Sequence, residues 1–315
     1  LFPYTTLFRS PAFKFHVKPE WANRPLHKLL PAAMPHLPKK DLQGILEGGG
    51  VFVNGNRIDK GTRLAKAGDD ISVIIFDPQA VLKRYALAQD VILYYKDDIL
   101  AVAKPAGIAV QRSNNPLAPN MEDLVTDLGR RLGLFRKATL CHRLDKETSG
   151  VLLLATNGAR THELMEAFHH QQVEKTYWAI CHGVSSDKNW QTANLLSSIN
   201  QRTGTARSVK NGGRSAITEF KLLAHDKDRA ISLIECRPKT GRSHQIRIHL
   251  SEAGLPIVGD KRYGGVIQKA AITSDFHLLH AKTLTVTLQK RHLEFTAPLP
   301  PHFSCNLPID AQQQG

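Results

Sequence analysis

His142-Arg143-Leu144-Asp145-Lys146-Glu147-Thr148-Ser149-Gly150 leads without a break into Val151-Leu152-Leu153-Leu154-Ala155. The second half is a continuous apolar run of strand length, which fits a buried strand, so the polar half belongs on the rim of the sheet that this strand crosses. Asp145 then lies on a rim loop beside His142, Arg143 and Lys146. Positive neighbours favour a carboxylate over the acid, which suits a nucleophile or an ion-pair partner and not a proton donor. The same residues have a plainer use, because Asp and Thr both fix turns through side-chain to backbone bonds.

The sequence around this stretch is strand-rich. β-Branched or aromatic runs at residues 91–95, 100–104, 151–156, 176–181, 217–223 and 230–235 are separated by Gly, Asn and Asp. Apolar residues at helical spacing predict helices over 121–132 and 159–169. Many strands with few helices predict an α+β domain over 91–305, a large, mainly antiparallel mixed sheet with flanking helices. Residues 11–80 read as a separate small α+β unit, with helices near 26–30 and 39–47 stopped by Gly48-Gly49-Gly50. In it, Val51-Phe52-Val53 enters Asn54-Gly55, the preferred dipeptide of a tight hairpin turn, and Gly68-Asp69-Asp70 introduces a strand over 71–76. Residues 81–90 read as a linker and 306–315 as a tail. Residues 1–10 read as the in-frame translation of a sequencing adapter and are set apart from the fold.

The chain has 42 Lys and Arg against 28 Asp and Glu, a formal charge of +14, which calls for a polyanionic partner. No stretch approaches the roughly 20 consecutive apolar residues that span a bilayer, and the basic residues are spread along the chain, so a membrane partner is not expected. Cys141, Cys181, Cys236 and Cys305 form no Cys-x-x-Cys pair, which favours reduced thiols in a cytoplasmic protein over zinc ligands. A monomer is the default expectation.

The stretch from His142 to Leu154 resembles the catalytic motif of the RluA family of pseudouridine synthases. Four further segments match that family in the same order: residues 93–98 with Ala103-Lys104-Pro105-Ala106-Gly107, Glu174-Lys175-Thr176-Tyr177-Trp178-Ala179, residues 239–249 from Lys239 to His249, and residues 254–264 from Gly254 to Gly264. The resemblance implies an enzyme that isomerises uridine to pseudouridine in ribosomal or transfer RNA without a cofactor. It assigns Asp145 as nucleophile, Tyr177 as the face on which the flipped uracil stacks, and Arg247 as the partner that keeps Asp145 charged. Arg143 would open the RNA stack, with His142, Lys175, Arg242, His244 and Gln245 as further RNA contacts. Residues 11–80 resemble the small RNA-binding module shared by a small-subunit ribosomal protein and many RNA-modifying enzymes.

The segment holding Arg247 reads as a helix with Ser243 as N-cap, Gly254 beyond the end, and Ile246, Leu250 and Ala253 on a buried stripe. The alternation of Ile246, Ile248 and Leu250 also permits a strand. His244 and His249 lack a third metal ligand at usable spacing, which leaves hydrogen bonding within the motif as their use. Two other readings compete with the synthase. A glycosidic-bond hydrolase needs a second carboxylate, for which Glu147 is the nearest candidate. A non-catalytic RNA-binding protein would have no reason to keep Asp145, Tyr177 and Arg247 together.

Overall fold

The computed structural model describes residues 12–58, 60–74, 82–113, 118–264, 272–288 and 291–308. The segment set apart at 1–10, the end of the strand expected over 71–76, residue 81 of the expected linker and most of the expected tail lie outside them. The chain divides into two compact units, Leu1–Leu87 with Gln111–Asp127, and Ala88–Val110 with Leu128–Gly315.

In the first unit, β1 (Ala12–His16), β2 (Val51–Val53), β3 (Asn56–Arg57) and β4 (Asp70–Ile74) form an antiparallel sheet in the order β1-β4-β2-β3. Helices α1 (Leu26–Ala33) and α2 (Lys39–Glu47) bury Leu26, Leu29, Leu30, Leu42, Ile45 and Leu46 with Val51, Val53, Ile71 and Val73. Asn54 and Gly55 have φ of 52° and 74°, the two positive values of the turn whose twist matches a two-residue hairpin. The dipeptide therefore makes the turn that the sequence predicts.

The second unit is built on an 11-stranded sheet. Its strands are β5 (Ile92–Lys96), β6 (Ile99–Lys104), β7 (Thr139–Leu140), β8 (Ser149–Ala155), β9 (Val173–His182), β10 (Asn189–Leu196), β11 (Ser208–Val209), β12 (Arg214–Asp226), β13 (Ile231–Pro238), β14 (Leu279–Leu288) and β15 (Arg291–Thr296). Their order is β11-β10-β12-β13-β9-β14-β8-β6-β5, with β15 on β14 and β7 on β8. All pairs are antiparallel except β8 with β14, which is the sense in which the sheet is mixed. Helix α3 (Met121–Arg131) begins in the first unit's residues and ends in the second's, and helices α4 (Gly158–His169), α5 (Gln245–Glu252) and a short α6 (Pro301–Ser304) belong to the second. Asn157 caps α4 by accepting the Arg160 N–H at 2.8 Å.

β8 is buried at every position, as its continuous apolar sequence requires. Its first residues pair in parallel with β14, Ser149 with His280 and Gly150 with Ala281. Gly150 has φ of 113°, and a Cβ there would drive into the carbonyl of Ala281, so only glycine lets the two strands meet. This pairing fixes the end of the polar loop inside the sheet, between β14 and β6. Among the described residues no helix is long and apolar enough to cross a membrane.

Candidate active site

The loop before β8 turns through its backbone, with the Thr148 N–H donating to the Asp145 carbonyl at 3.2 Å. Neither side chain is spent on that turn. The Thr148 hydroxyl pairs with His277 Nε2 at 2.8 Å, and the Asp145 carboxylate reaches across to α5. Turn-making therefore does not account for the two residues.

Beneath the loop lies Lys104, 2% exposed, whose Nζ donates to the carbonyls of Pro105 (2.8 Å), Lys146 (2.9 Å) and Thr148 (2.7 Å). Burial pulls this amine down to about 7, against the opposing pull of Asp145. Three carbonyl acceptors require three N–H donors, which only the ammonium supplies, so the clamp is made by the charged form. Lys104→Met should leave those carbonyls unpaired and loosen the loop. We expect a rate loss of roughly tenfold or more and a lower Tm, with each orphaned group costing about 1–3 kcal/mol. Steady-state kinetics and thermal melting check this.

Arg247 is buried in α5 and bridges two acids. Its Nη1 donates to Asp145 Oδ2 at 3.0 Å, and its Nε and Nη2 form a fork on Asp260 at 2.7 and 2.8 Å. Burial works against the Arg247 charge, and the Asp260 and Asp145 carboxylates more than reverse it, so its pKa lies above the usual guanidinium value. Burial also pushes Asp260 up, but Arg247 and the N–H groups of Arg262 and Tyr263 override it and hold the carboxyl below the usual range.

The helical reading of this segment holds, and two of its details do not. The N-cap is His244 in the left-handed conformation (φ 60°), not Ser243, and no side chain caps the helix. The start is fixed instead by Gln245, whose Oε1 accepts from the Thr240 hydroxyl and the Arg242 N–H and whose Nε2 donates to Ile217 O and Thr218 Oγ1. Ala253 is exposed and not part of a buried stripe, because α5 is enclosed on all sides and buries Gln245 through Leu250. At the other end Gly254 (φ 74°) follows the helix as expected, and the Leu255 N–H returns to Leu250 O at 2.9 Å. His249 bonds to Thr218 on β12 and Asn194 on β10, not within its own motif.

Asp145 opens into a cleft of about 1270 Å³ lined by Arg143, Tyr177, Lys175, Arg242 and Arg247 among others. Burial, then the Asp145 carboxylate, pushes the Tyr177 hydroxyl above its ordinary pKa, so it is a proton-bearing group beside the acid. Arg143 is exposed at the mouth, and Arg242 Nε donates to Ser215 O at 2.9 Å. His142 stacks on Phe168 with ring centroids 4.7 Å apart, and its Nε2 accepts the Leu153 N–H at 2.9 Å. Burial, then Lys175, brings its pKa down to about 3, so the ring is neutral and ties the loop to β8. His244 lies close to Asp145, with Nε2 at 3.9 Å from Oδ2. The sequence-derived residues thus converge on one cleft, while the hydrogen bonds of His142 and Gln245 run inside the fold.

Glu147, the candidate second carboxylate, does not line the cleft. It faces His277, whose backbone N–H and Nδ1 both stand 3.4 Å from its Oε2. A pair of opposed carboxylates for hydrolysis is therefore not assembled around Asp145 by Glu147. Sequence reasoning missed Lys104 and Asp260 as parts of the site. A lysine ending an otherwise buried strand is a signal for the first, and a buried arginine facing a single acid should have prompted a search for the second.

An arrangement of one guanidinium-held carboxylate, an aromatic hydroxyl and a basic rim suits covalent chemistry on a polyanion. The family model described as RNA pseudouridylate synthase matches residues 98–252. The uncharacterized RNA pseudouridine synthase YlyB of Bacillus subtilis is 30% identical over 87% of this chain and 90% of its own length. Ribosomal large subunit pseudouridine synthase C of Rickettsia felis is 30% identical over 89% of this chain and 94% of its own. The solved structure of human RNA pseudouridylate synthase domain containing 4 superposes with a TM-score of 0.58 at 26% identity, covering 72% of this chain and 94% of that one. With the fold, the cleft and these likenesses in agreement, the chain belongs to the RluA-type RNA pseudouridine synthases.

Proposed function

We propose that this synthase acts on ribosomal RNA with Asp145 as its nucleophile. The observation that carries the reading is the chain Asp145–Arg247–Asp260, in which a buried guanidinium anchored on one acid presents the other to the cleft. In this scheme a carboxylate oxygen forms a bond to C1′ of the ribose, the bond from C1′ to N1 breaks, and its electron pair leaves with uracil. The freed base turns, C5 bonds to C1′ as the carboxylate departs, and the proton lost from C5 is balanced by one gained at N1. Tyr177 stacks the flipped uracil, and Arg143, exposed and without a side-chain partner among the described residues, fills the gap in the RNA. Lys175 and Arg242 bind backbone phosphate. His142 and Gln245 serve by positioning the loops that bear these groups.

The name of the Rickettsia relative supports ribosomal RNA over transfer RNA. Mapping pseudouridine in total RNA with and without this gene tests the assignment. Loss of sites in transfer RNA alone would overturn it.

The first unit, with its four-stranded sheet and the helices α1 and α2, is read as the RNA-binding module, working in a cytoplasmic enzyme whose cysteines are free. Lys28, Lys39 and Lys40 are exposed on or beside its helices. Reversing all three to Glu should weaken RNA binding at physiological salt and flatten its salt dependence, by about 0.7–0.9 in log–log slope for each phosphate no longer neutralised. Affinities measured across a salt series check this, and an unchanged slope would remove the module from the RNA interface.

A further inference from the structure

Tyr263 touches Arg247, Asp260 and His244, three groups clustered around the Asp145 carboxylate. Its ring covers the Arg247 guanidinium at 5.0 Å, its N–H donates to Asp260 Oδ1 at 3.1 Å, and its hydroxyl lies 2.8 Å from His244 Nδ1. The hydroxyl also accepts the Ala206 N–H at 2.9 Å. A phenol has one proton to give, and a backbone N–H can only donate. The Ala206 contact leaves the phenol proton free for His244 Nδ1, and we assign it there because a donor, not a lone pair, of the imidazole's other nitrogen then faces the Asp145 carboxylate. His244 Nδ1 is then an acceptor, and the imidazole carries its proton on Nε2, the nitrogen that faces Asp145 Oδ2 across 3.9 Å.

We infer that Tyr263 and His244 are positioning residues that decide which oxygen of Asp145 reacts: the tautomer set by Tyr263 turns an Nε2–H toward Oδ2, where Arg247 already donates, and leaves Oδ1 for the substrate. The inference rests on the reading of Asp145 as nucleophile. Among the described residues no hydrogen bond falls on Oδ1, while two donors converge on Oδ2 from α5 and from the residue before it. At 3.9 Å the His244 contact is longer than a hydrogen bond, and such contacts tighten when substrate closes a site. The residue is also held in an unusual pose. His244 is a non-glycine residue at φ 60°, and its side chain is 8% exposed. Strained backbone of this kind persists where surrounding contacts over-determine it. Burial lowers the His244 pKa, and burial raises that of Tyr263, so both keep the protonation that the relay needs near neutral pH.

The test uses the full chain. In wild-type protein, ¹⁵N NMR of the imidazole assigned to His244 should show the Nε2-protonated neutral tautomer. Tyr263→Phe, which keeps the ring over Arg247 and removes the hydroxyl, should shift that signature toward a mixture of tautomers. It should also lower kcat by roughly 10- to 100-fold, the scale on which supporting hydrogen bonds to an active-site ligand act, and leave KM within about twofold. His244→Gln, which can present an amide N–H near the place of Nε2, should retain more kcat than His244→Asn, whose amide reaches only the place of Nδ1.

A wild-type Nδ1-protonated tautomer would overturn the inference, as would Tyr263→Phe with unchanged kcat or with a loss confined to KM. Equal activity of the Gln and Asn variants would count against it too. Asp145→Asn separates the two readings. If that variant stays active, the nucleophile assignment fails, while the tautomer measurement still reports on the relay.

Discussion

Asp145→Asn should stop pseudouridine formation, lowering the rate by on the order of 10⁴-fold or more, the scale expected when the nucleophile itself is removed, while the protein stays folded and still binds RNA. The second half of that expectation follows from how Arg247 is held. A buried guanidinium stripped of its acid would cost several kcal/mol, but Arg247 keeps its two-bond fork on Asp260 when Asp145 loses its charge. Asn fits the space of Asp, and the Asp145 side chain is 20% exposed, so water can reach the altered group. The stability change should stay within about 1 kcal/mol. Melting temperature and RNA affinity should therefore be near wild type while product formation disappears. Full activity in this variant would sink the nucleophile assignment, and a collapsed melting curve would show that Asp145 holds the fold.

Much of this architecture is legible from local pattern because local physics decides it. The apolar run of β8 had to be buried, Asn54-Gly55 had to turn, and α2 had to stop at its glycines. The polar stretch before β8 had to reach the rim, which places Asp145 before any partner is known. Its partners were harder to read. Arg247 and Asp145 are 102 residues apart, and the strand pairings from β13 through β9 and β14 to β8, with the enclosure of α5, bring them together. The pairing was expected from a resemblance and not from spacing. Asp260 lies in a glycine-flanked segment that reads as a turn, so nothing local marks it as a buried counter-ion. Ser243 looked like a cap because serine caps helices well, yet the chain places a left-handed histidine there and lets Gln245 satisfy the turn. The roles of His142 and Gln245 show the same limit. Both side chains line the same cleft as Asp145, but their hydrogen bonds with Leu153, Thr240, Ile217 and Thr218 become visible only when the fold brings those residues near.

Asp260→Ala should be far more damaging to stability than any change at Asp145, although Asp260 lies one residue further from the chemistry. Its side chain is 1% exposed and accepts four hydrogen bonds, two from Arg247 and one each from the N–H groups of Arg262 and Tyr263. Removing it leaves a buried guanidinium with Asp145 as its remaining acid and orphans two backbone donors. Breaking a buried pair in this way costs about 3–5 kcal/mol, and for a domain of this size that lowers Tm by on the order of 10 °C. Activity should also fall when assayed well below the new Tm, because Arg247 is then free to swing fully onto Asp145 and cover the oxygen that must react. The pH dependence has a definite sign. The folded Asp260 carboxyl is held below its ordinary value despite the opposing effect of burial, so its contribution is complete above roughly pH 4 and is lost as acid protonates the folded state. Wild-type stability should therefore drop steeply below that pH, and Asp260→Asn, which keeps the shape without the titrating charge, should lose part of that slope. If Asp260→Ala melted no lower than Asp145→Ala, Arg247 would not be anchored through Asp260, and the carboxylate that it presents to the cleft would need another explanation for its fixed position.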